Sequence, residues 1–244
     1  MAAVIATIGQ WGQMFRFYTT TALAGLLCGA ALPAVAQDIF VIDEIVISAN
    51  LDETDAESTG VSVAVLDGEE LDATGETRLT EILARLPGVG VLSRGPAGAV
   101  SGMTIRGVSQ NYIKVLFDGI DIADPSGTQV AYDFGRLTSF GLDRVEVLRG
   151  SQSAVHGSGA IAGVVSLETA LPEDLGTEQS VELEAGSFGT VWGNYGYGMR
   201  TETGALGLNI SRITTDGYSA ANEADGNTEA DGYNANRLSV KGEA

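Results

Sequence analysis

Apolar positions change their period three times along this chain. Residues 61–66 form an apolar run that predicts a strand. Leu79, Ile82, Leu83 and Leu86 recur at i, i+3, i+4 and i+7, which predicts a helix over 77–86 that Pro87-Gly88 stops. Short strands are predicted at 89–92, 104–106, 113–117, 120–122, 144–148 and 164–167, with a short helix at 133–140. Asp118-Gly119 sits between two of these strands, and that dipeptide suits a type I′ hairpin turn with positive φ at both residues. Residues 93–102 and 123–132 are Gly- and polar-rich and read as loops. The mixture predicts an α+β domain, a small mixed sheet with short helices, over 59–170.

Beyond it, residues 181–185, 191–199, 206–212 and 238–240 alternate with period two, separated by Gly and polar turns. Trp192, Tyr195 and Tyr197 fall in the second of them. Transmembrane β-strands alternate in this way and carry interfacial aromatics. A soluble antiparallel sheet alternates identically, so the period alone leaves both open.

The N-terminus adds an address. Arg16 precedes an apolar run over 19–32, and Ala34-Val35-Ala36 has the small-x-small form of a cleavage site, so 1–36 reads as a secretory signal. A short membrane anchor is the competing reading. Met14 is an alternative start. Cys28, the single cysteine, falls inside the signal; lipidation there would want a small residue before it, and Leu27 stands there instead. The exported chain then has no thiol for a disulfide, a metal or nucleophilic catalysis. No later stretch is long and apolar enough for a membrane helix.

Charge narrows the partners. A formal net charge of −19 and only 13 basic residues argue against a nucleic-acid backbone site and against electrostatic tethering to anionic lipid. Catalytic motifs are weak. His156 is the only histidine, so a multi-histidine metal site is excluded, and no Gly-x-Ser-x-Gly elbow occurs. Gly157-Ser158-Gly159-Ala160-Ile161-Ala162 fits a dinucleotide fingerprint formally, but a strand follows it where that motif needs a helix. Close backbone packing is the simpler reading.

Three blocks carry a resemblance. Val145-Glu146-Val147-Leu148-Arg149-Gly150-Ser151 runs into the Gly-rich stretch through Gly163; Met103-Thr104-Ile105-Arg106-Gly107 and Lys114-Val115-Leu116-Phe117-Asp118-Gly119 precede it in order. Together they resemble the plug domain of TonB-dependent outer-membrane receptors. The resemblance implies a plug followed by the first antiparallel strands of an incomplete transmembrane β-barrel over 178–244. Four strands cannot close a lumen wide enough for a plug, which takes about 22, and open edges are not tolerated in lipid. The chain therefore reads as the N-terminal part of a larger receptor. The lack of a terminal aromatic points the same way.

The resemblance further implies a flexible segment at 37–58 with a TonB box at Asp43, Glu44, Ile45, Val46, Ile47, Ser48 and Ala49, where the inner-membrane transducer TonB adds a strand. The competing reading of 43–49 is the first strand of the folded domain. Arg106 and Arg149 are implied plug–barrel contacts, with Glu146 a local partner for Arg106; ordinary surface arginine is the alternative. Ser93, Arg94, Ser101, Asp124, Ser126 and Tyr132 would meet substrate. Asp216, Asp225 and Asp231 resemble an acidic loop of cobalamin receptors and form a candidate Ca²⁺ site; a solvated acidic loop is the other reading. The implied function is energised uptake of cobalamin or a metal chelate across the outer membrane, with lipid around the barrel, no other cofactor and no enzymatic step. A pore-less periplasmic binding or signalling module with a plug-like domain is the alternative. A hydrolase built on Ser153 and His156 has no motif behind it.

Overall fold

The computed structural model describes residues 45–46, 54–55, 60–126 and 131–244. The expected signal at 1–36 lies outside them, as do Asp43, Glu44, Ile47, Ser48 and Ala49 of the expected box. The other two box residues form β1 (Ile45–Val46), which pairs antiparallel with β2 (Thr54–Asp55).

The globular part follows in the order β3 (Ser62–Asp67), α1 (Gly68–Ala73), α2 (Leu79–Leu83), β4 (Val89–Ser93), β5 (Ser101–Ile105), β6 (Val108–Ser109), β7 (Ile113–Phe117), β8 (Ile120–Asp121), β9 (Leu142–Arg149), α3 (Ser153–His156) and β10 (Gly163–Thr169). Its main sheet has the order β3-β9-β10-β7-β8 and is mixed, because β10 runs parallel to β7. A second sheet, β4-β5-β6, closes over one face. Between them the core gathers Leu79, Ile82, Leu83, Met103, Ile105, Val115, Phe134, Val145, Val147 and Leu167, all buried. Each such side chain contributes roughly 1.5–3 kcal/mol by leaving water. The opposite face of β9 and β10 carries Leu148 and Val164 into a smaller cluster with Leu116 and Ala160.

Local chemistry explains the departures from the expected elements. The hairpin turn forms as expected, with φ 47° at Asp118 and 78° at Gly119. The helix expected over 77–86 is shorter. Arg78 is held extended by a bridge to Thr138, and after Leu83 the chain tightens into i→i+3 bonds, Arg85 to Ile82 and Leu86 to Leu83. The helix expected over 133–140 is only a 3₁₀ turn at Phe134–Arg136. The Asp133 carboxylate caps its start, accepting from Gly135 N–H and also from Ser101 N–H of the other sheet, and Leu137 turns extended directly after it. Helix α1 lies outside the expected elements. Its apolar content is one buried residue, Leu71, and its start is marked only by Asp67, whose Oδ1 accepts from Glu70 N–H at 2.8 Å.

A four-stranded antiparallel sheet follows: β11 (Gly176–Ala185), β12 (Val191–Thr201), β13 (Gly204–Thr215) and β14 (Tyr233–Glu243). All but β12 extend well beyond the period-two stretches seen in the sequence, because their ends are Gly, Thr, Asn and Ala and show no apolar alternation. Register aligns Val181, Tyr195, Ile210 and Leu238 in one row across the sheet. All four are exposed. The neighbouring row, Ser180, Gly196, Asn209 and Ser239, belongs to the opposite face. That face covers the globular part, with Trp192, Asn194, Asn209, Ser211 and Thr215 buried.

Candidate functional site

The sequence places inward residues of β14 at every second position from Tyr233 to Lys241, so Arg237 and Lys241 share the face turned to the globular part. Both reach across. Lys241 Nζ lies 2.9 Å from Asp118 Oδ1 and donates to the Thr169 carbonyl at 3.1 Å. Asp118 also accepts from the Thr169 N–H at 3.0 Å and hydroxyl at 2.8 Å. One carboxylate thus ties the I′ turn to the last strand of the globular part and to the sheet beside it. Arg237 donates to Thr138 Oγ1 (3.1 Å) and to the Arg136 carbonyl (2.6 Å). Thr77 donates to Glu184 of β11, and Phe140 packs edge-on against Trp192 with ring centroids 6.1 Å apart. A crevice of about 500 Å³ remains between the two layers, lined by Asp72 and Asp143 on one side and by Glu182, Asn194 and Lys241 on the other. Close approach is enforced at Gly98, where φ is +84° and an added Cβ would strike the Tyr233 ring.

Most of these bridging residues are not among those that the sequence singles out; Asp118 stands out there only as a turn residue and Trp192 only as a strand aromatic. The signal that marks Arg237 and Lys241 is their four-residue spacing on the polar face of a strand; nothing local marks Thr138 or Thr169 as their partners.

The residues that the sequence does single out are distributed differently. Ser101 is buried, its N–H bonded to Asp133 and its hydroxyl to Ser93 and the Ala99 carbonyl, so it holds the β4–β5 loop in shape and offers nothing to a ligand. Ser93 ends β4 and donates to the Gly95 carbonyl, while Arg94 N–H closes the loop onto Val100. Asp124 is exposed, and the hydroxyl and N–H of Ser126 hold its carboxyl below the usual range. Tyr132 stacks edge-on with Phe134 at 5.3 Å, and burial pushes its phenol up.

Arg106 is exposed, in a left-handed conformation with φ 51°, and the buried Glu146 lies 3.9 Å from Arg144 of its own strand. Arg149 turns inward, donating to the Pro87 carbonyl at 2.7 Å and the Val63 carbonyl at 3.0 Å, and so ties two segments of its own domain. The expected Ca²⁺ set does not assemble. Asp231 accepts from Ala220 N–H, Asp216 packs beside Gly189, and among the described residues no three acidic, His or Cys side chains converge to hold a metal ion.

Glu168, beside Glu146, has its carboxyl raised above the usual value, first by burial and then by Glu146, against the pull of Arg144 and Lys241. A raised carboxyl gives its stability in the protonated form, which is fully present below about pH 4.5 and lost as pH rises through the higher folded value. Glu168→Gln is therefore expected to raise the denaturation midpoint at pH 7 and leave it nearly unchanged at pH 4. Equal effects at both pH values would refute this.

Comparison with known proteins follows the same division. Residues 55–164 match the family model of the TonB-dependent Receptor Plug Domain. The vitamin B12 transporter BtuB of Vibrio vulnificus is 34% identical over 152 residues, 62% of this chain and 24% of that protein. BtuB of Photobacterium profundum is 32% identical over 212 residues, 83% of this chain and 33% of that protein. The chain thus spans a third or less of these relatives' length. The ferripyoverdine receptor of the outer membrane of Pseudomonas aeruginosa, solved with ferripyoverdine bound, shares the fold with a TM-score of 0.58 at 19% identity, over 71% of this chain and 23% of that one. These relatives are transporters and receptors, not enzymes. By the family match, the kinship and the fold together, the globular part of the chain is a plug domain of the TonB-dependent receptor kind.

Proposed function

We propose that this chain is the plug-bearing part of an outer-membrane receptor that takes up cobalamin or a siderophore-type metal chelate, driven by TonB. The observation that carries this reading is the two-sidedness of β11–β14. Val181, Ile210, Leu238 and Val240 are exposed on one face, while Asn194, Asn209, Ser211, Arg237 and Lys241 of the other face meet the plug. That is the arrangement of a barrel wall, apolar toward lipid and polar toward a filled lumen. The plug enters the lumen from the periplasmic side, with residues 43–49 below it as the TonB box. Ligand docks on the outer side, on the loops at 93–102 and 123–132. This reading divides the chain into a plug over 59–170 and barrel strands over 178–244.

The test separates binding from energised transport. Strand addition needs backbone N–H groups, and proline removes one. A receptor carrying Ile45→Pro is expected to stay in the outer membrane, migrate anomalously unless boiled, and bind radiolabelled cyanocobalamin like the parent. Its uptake into cells is expected to fall at least tenfold. Full uptake by the variant would remove the box from 43–49; recovery of the native protein in the soluble periplasm would remove the transporter reading itself.

A further inference from the structure

The turn between β11 and β12 places a phenylalanine where the backbone favours glycine. Phe188 has φ +58° and Gly189 follows at +63°. The left-handed region is unusual for a bulky residue. The turn is locked there from β13: the Phe188 carbonyl accepts from Asp216 N–H at 2.9 Å and from the Thr215 hydroxyl at 3.3 Å, and the hydroxyls of Thr190 and Thr215 lie 2.7 Å apart. The lock sets the Phe188 ring beside Tyr218, centroids 5.2 Å apart and planes 48° apart. The two rings remain 57% and 47% exposed, so they are not there to fill a core.

They do not face lipid either. Together with Trp192, and with Pro96 and Ala97 of the plug loop, they line a crevice of about 240 Å³ whose walls also include Glu76, Arg78 and Glu184. A whole small-molecule site usually takes about 300–1,000 Å³, so this space suits one group of a larger ligand. Two rings with planes 48° apart offer π-faces to a flat ring. We propose that Phe188 and Tyr218 form an aromatic subsite for one planar heteroaromatic group of the transported ligand. The inference deepens the uptake reading and rests on it. Because the plug loop supplies part of the wall, an occupied subsite touches both plug and barrel.

The experiment uses the receptor purified from its native membrane, with Phe188→Asn, which tolerates the left-handed backbone but removes the ring, and Tyr218→Ala. Equilibrium dialysis with free 5,6-dimethylbenzimidazole reads the subsite alone. Cyanocobalamin, which carries that base, and dicyanocobinamide, which lacks it, read the whole site. Wild type is expected to bind the free base, and each variant to bind it roughly tenfold more weakly or not at all, the scale of losing one stacking partner. Cyanocobalamin affinity should fall by a similar factor while cobinamide affinity holds. Absent or undiminished binding of the free base overturns the subsite, as does equal loss for both corrinoids. A wild type that binds the base but neither corrinoid sinks cobalamin uptake and leaves the subsite standing. If Phe188→Asn does not fold, Tyr218→Ala carries the same comparison.

Discussion

A Gly163→Ala receptor is expected to reach the outer membrane with its plug unfolded. Gly163 opens β10 between two strands, facing Arg149 on β9 and Ile113 on β7. An added Cβ would collide with the Leu148 carbonyl oxygen and sit 2.9 Å from Ile105 Cδ1. The first obstacle is backbone in the middle of the main sheet, which can yield only by breaking the β9–β10 ladder. The second belongs to the fully buried core. Overpacking a core by a methylene already costs about 1–3 kcal/mol, and here relaxation is blocked on both sides, so a loss of at least about 3 kcal/mol follows. Against a total of about 5–15 kcal/mol for an ordinary domain, that moves the plug toward the unfolded state. The check is limited proteolysis of outer-membrane vesicles: the plug should be cleaved while barrel fragments persist. Growth on a large antibiotic normally excluded by the outer membrane should fail as well. A protease-resistant plug in the variant would contradict this account.

Asp118→Ala is the second change with a large expected effect. It removes the acceptor for the Thr169 N–H, the Thr169 hydroxyl and the Lys241 ammonium. It also puts alanine at φ 47°, which costs about 1–2 kcal/mol by itself. Hydrogen bonds to a charged group contribute about 1.5–3 kcal/mol each and do not add fully, so a total near 3–4 kcal/mol is expected. Asp118→Asn separates the parts. Asparagine keeps the turn and an acceptor for Thr169 but loses the charge facing Lys241, and a half-exposed ion pair is worth about 1 kcal/mol or less. Urea denaturation of the plug should therefore rank wild type, Asp118→Asn and Asp118→Ala in descending order. A double change with Lys241→Met should add little to Asp118→Asn. Additive losses would mean that the 2.9 Å contact carries no coupling.

Sequence legibility tracked the range of the interaction. The I′ turn at Asp118-Gly119, the strands at 113–117 and 144–148 and the outward row of the sheet each follow from residues within one or two turns of chain, and each formed. Helix α2 was legible in its buried face but not in its limits, since a bridge to distant Thr138 fixes its start. The β11–β14 period was legible, yet the choice between lipid and water on the exposed face was not, because both accept the same alternation. Least legible was the seam between the two layers. Lys241 meets Asp118 only because two separate elements are brought together, and neither the turn chemistry of Asp118 nor the alternation around Lys241 names the other. The local contacts of Arg149 were hidden for a related reason. Arg149 ends a strand like a surface residue, yet the fold puts carbonyls of Pro87 and Val63 within its reach.

The strand order of the plug also sets when it can fold. β3 is complete at Asp67, but β9, its neighbour in the sheet, begins only at Leu142, and β7 must wait for β10 to pair in parallel. Pairings so distant along the chain pay loop-closure entropy before any ladder forms, and they slow folding. The main sheet therefore cannot be completed until β10 ends at Thr169. Under the uptake reading proposed above, a plug with this strand order stays loose until it meets its barrel.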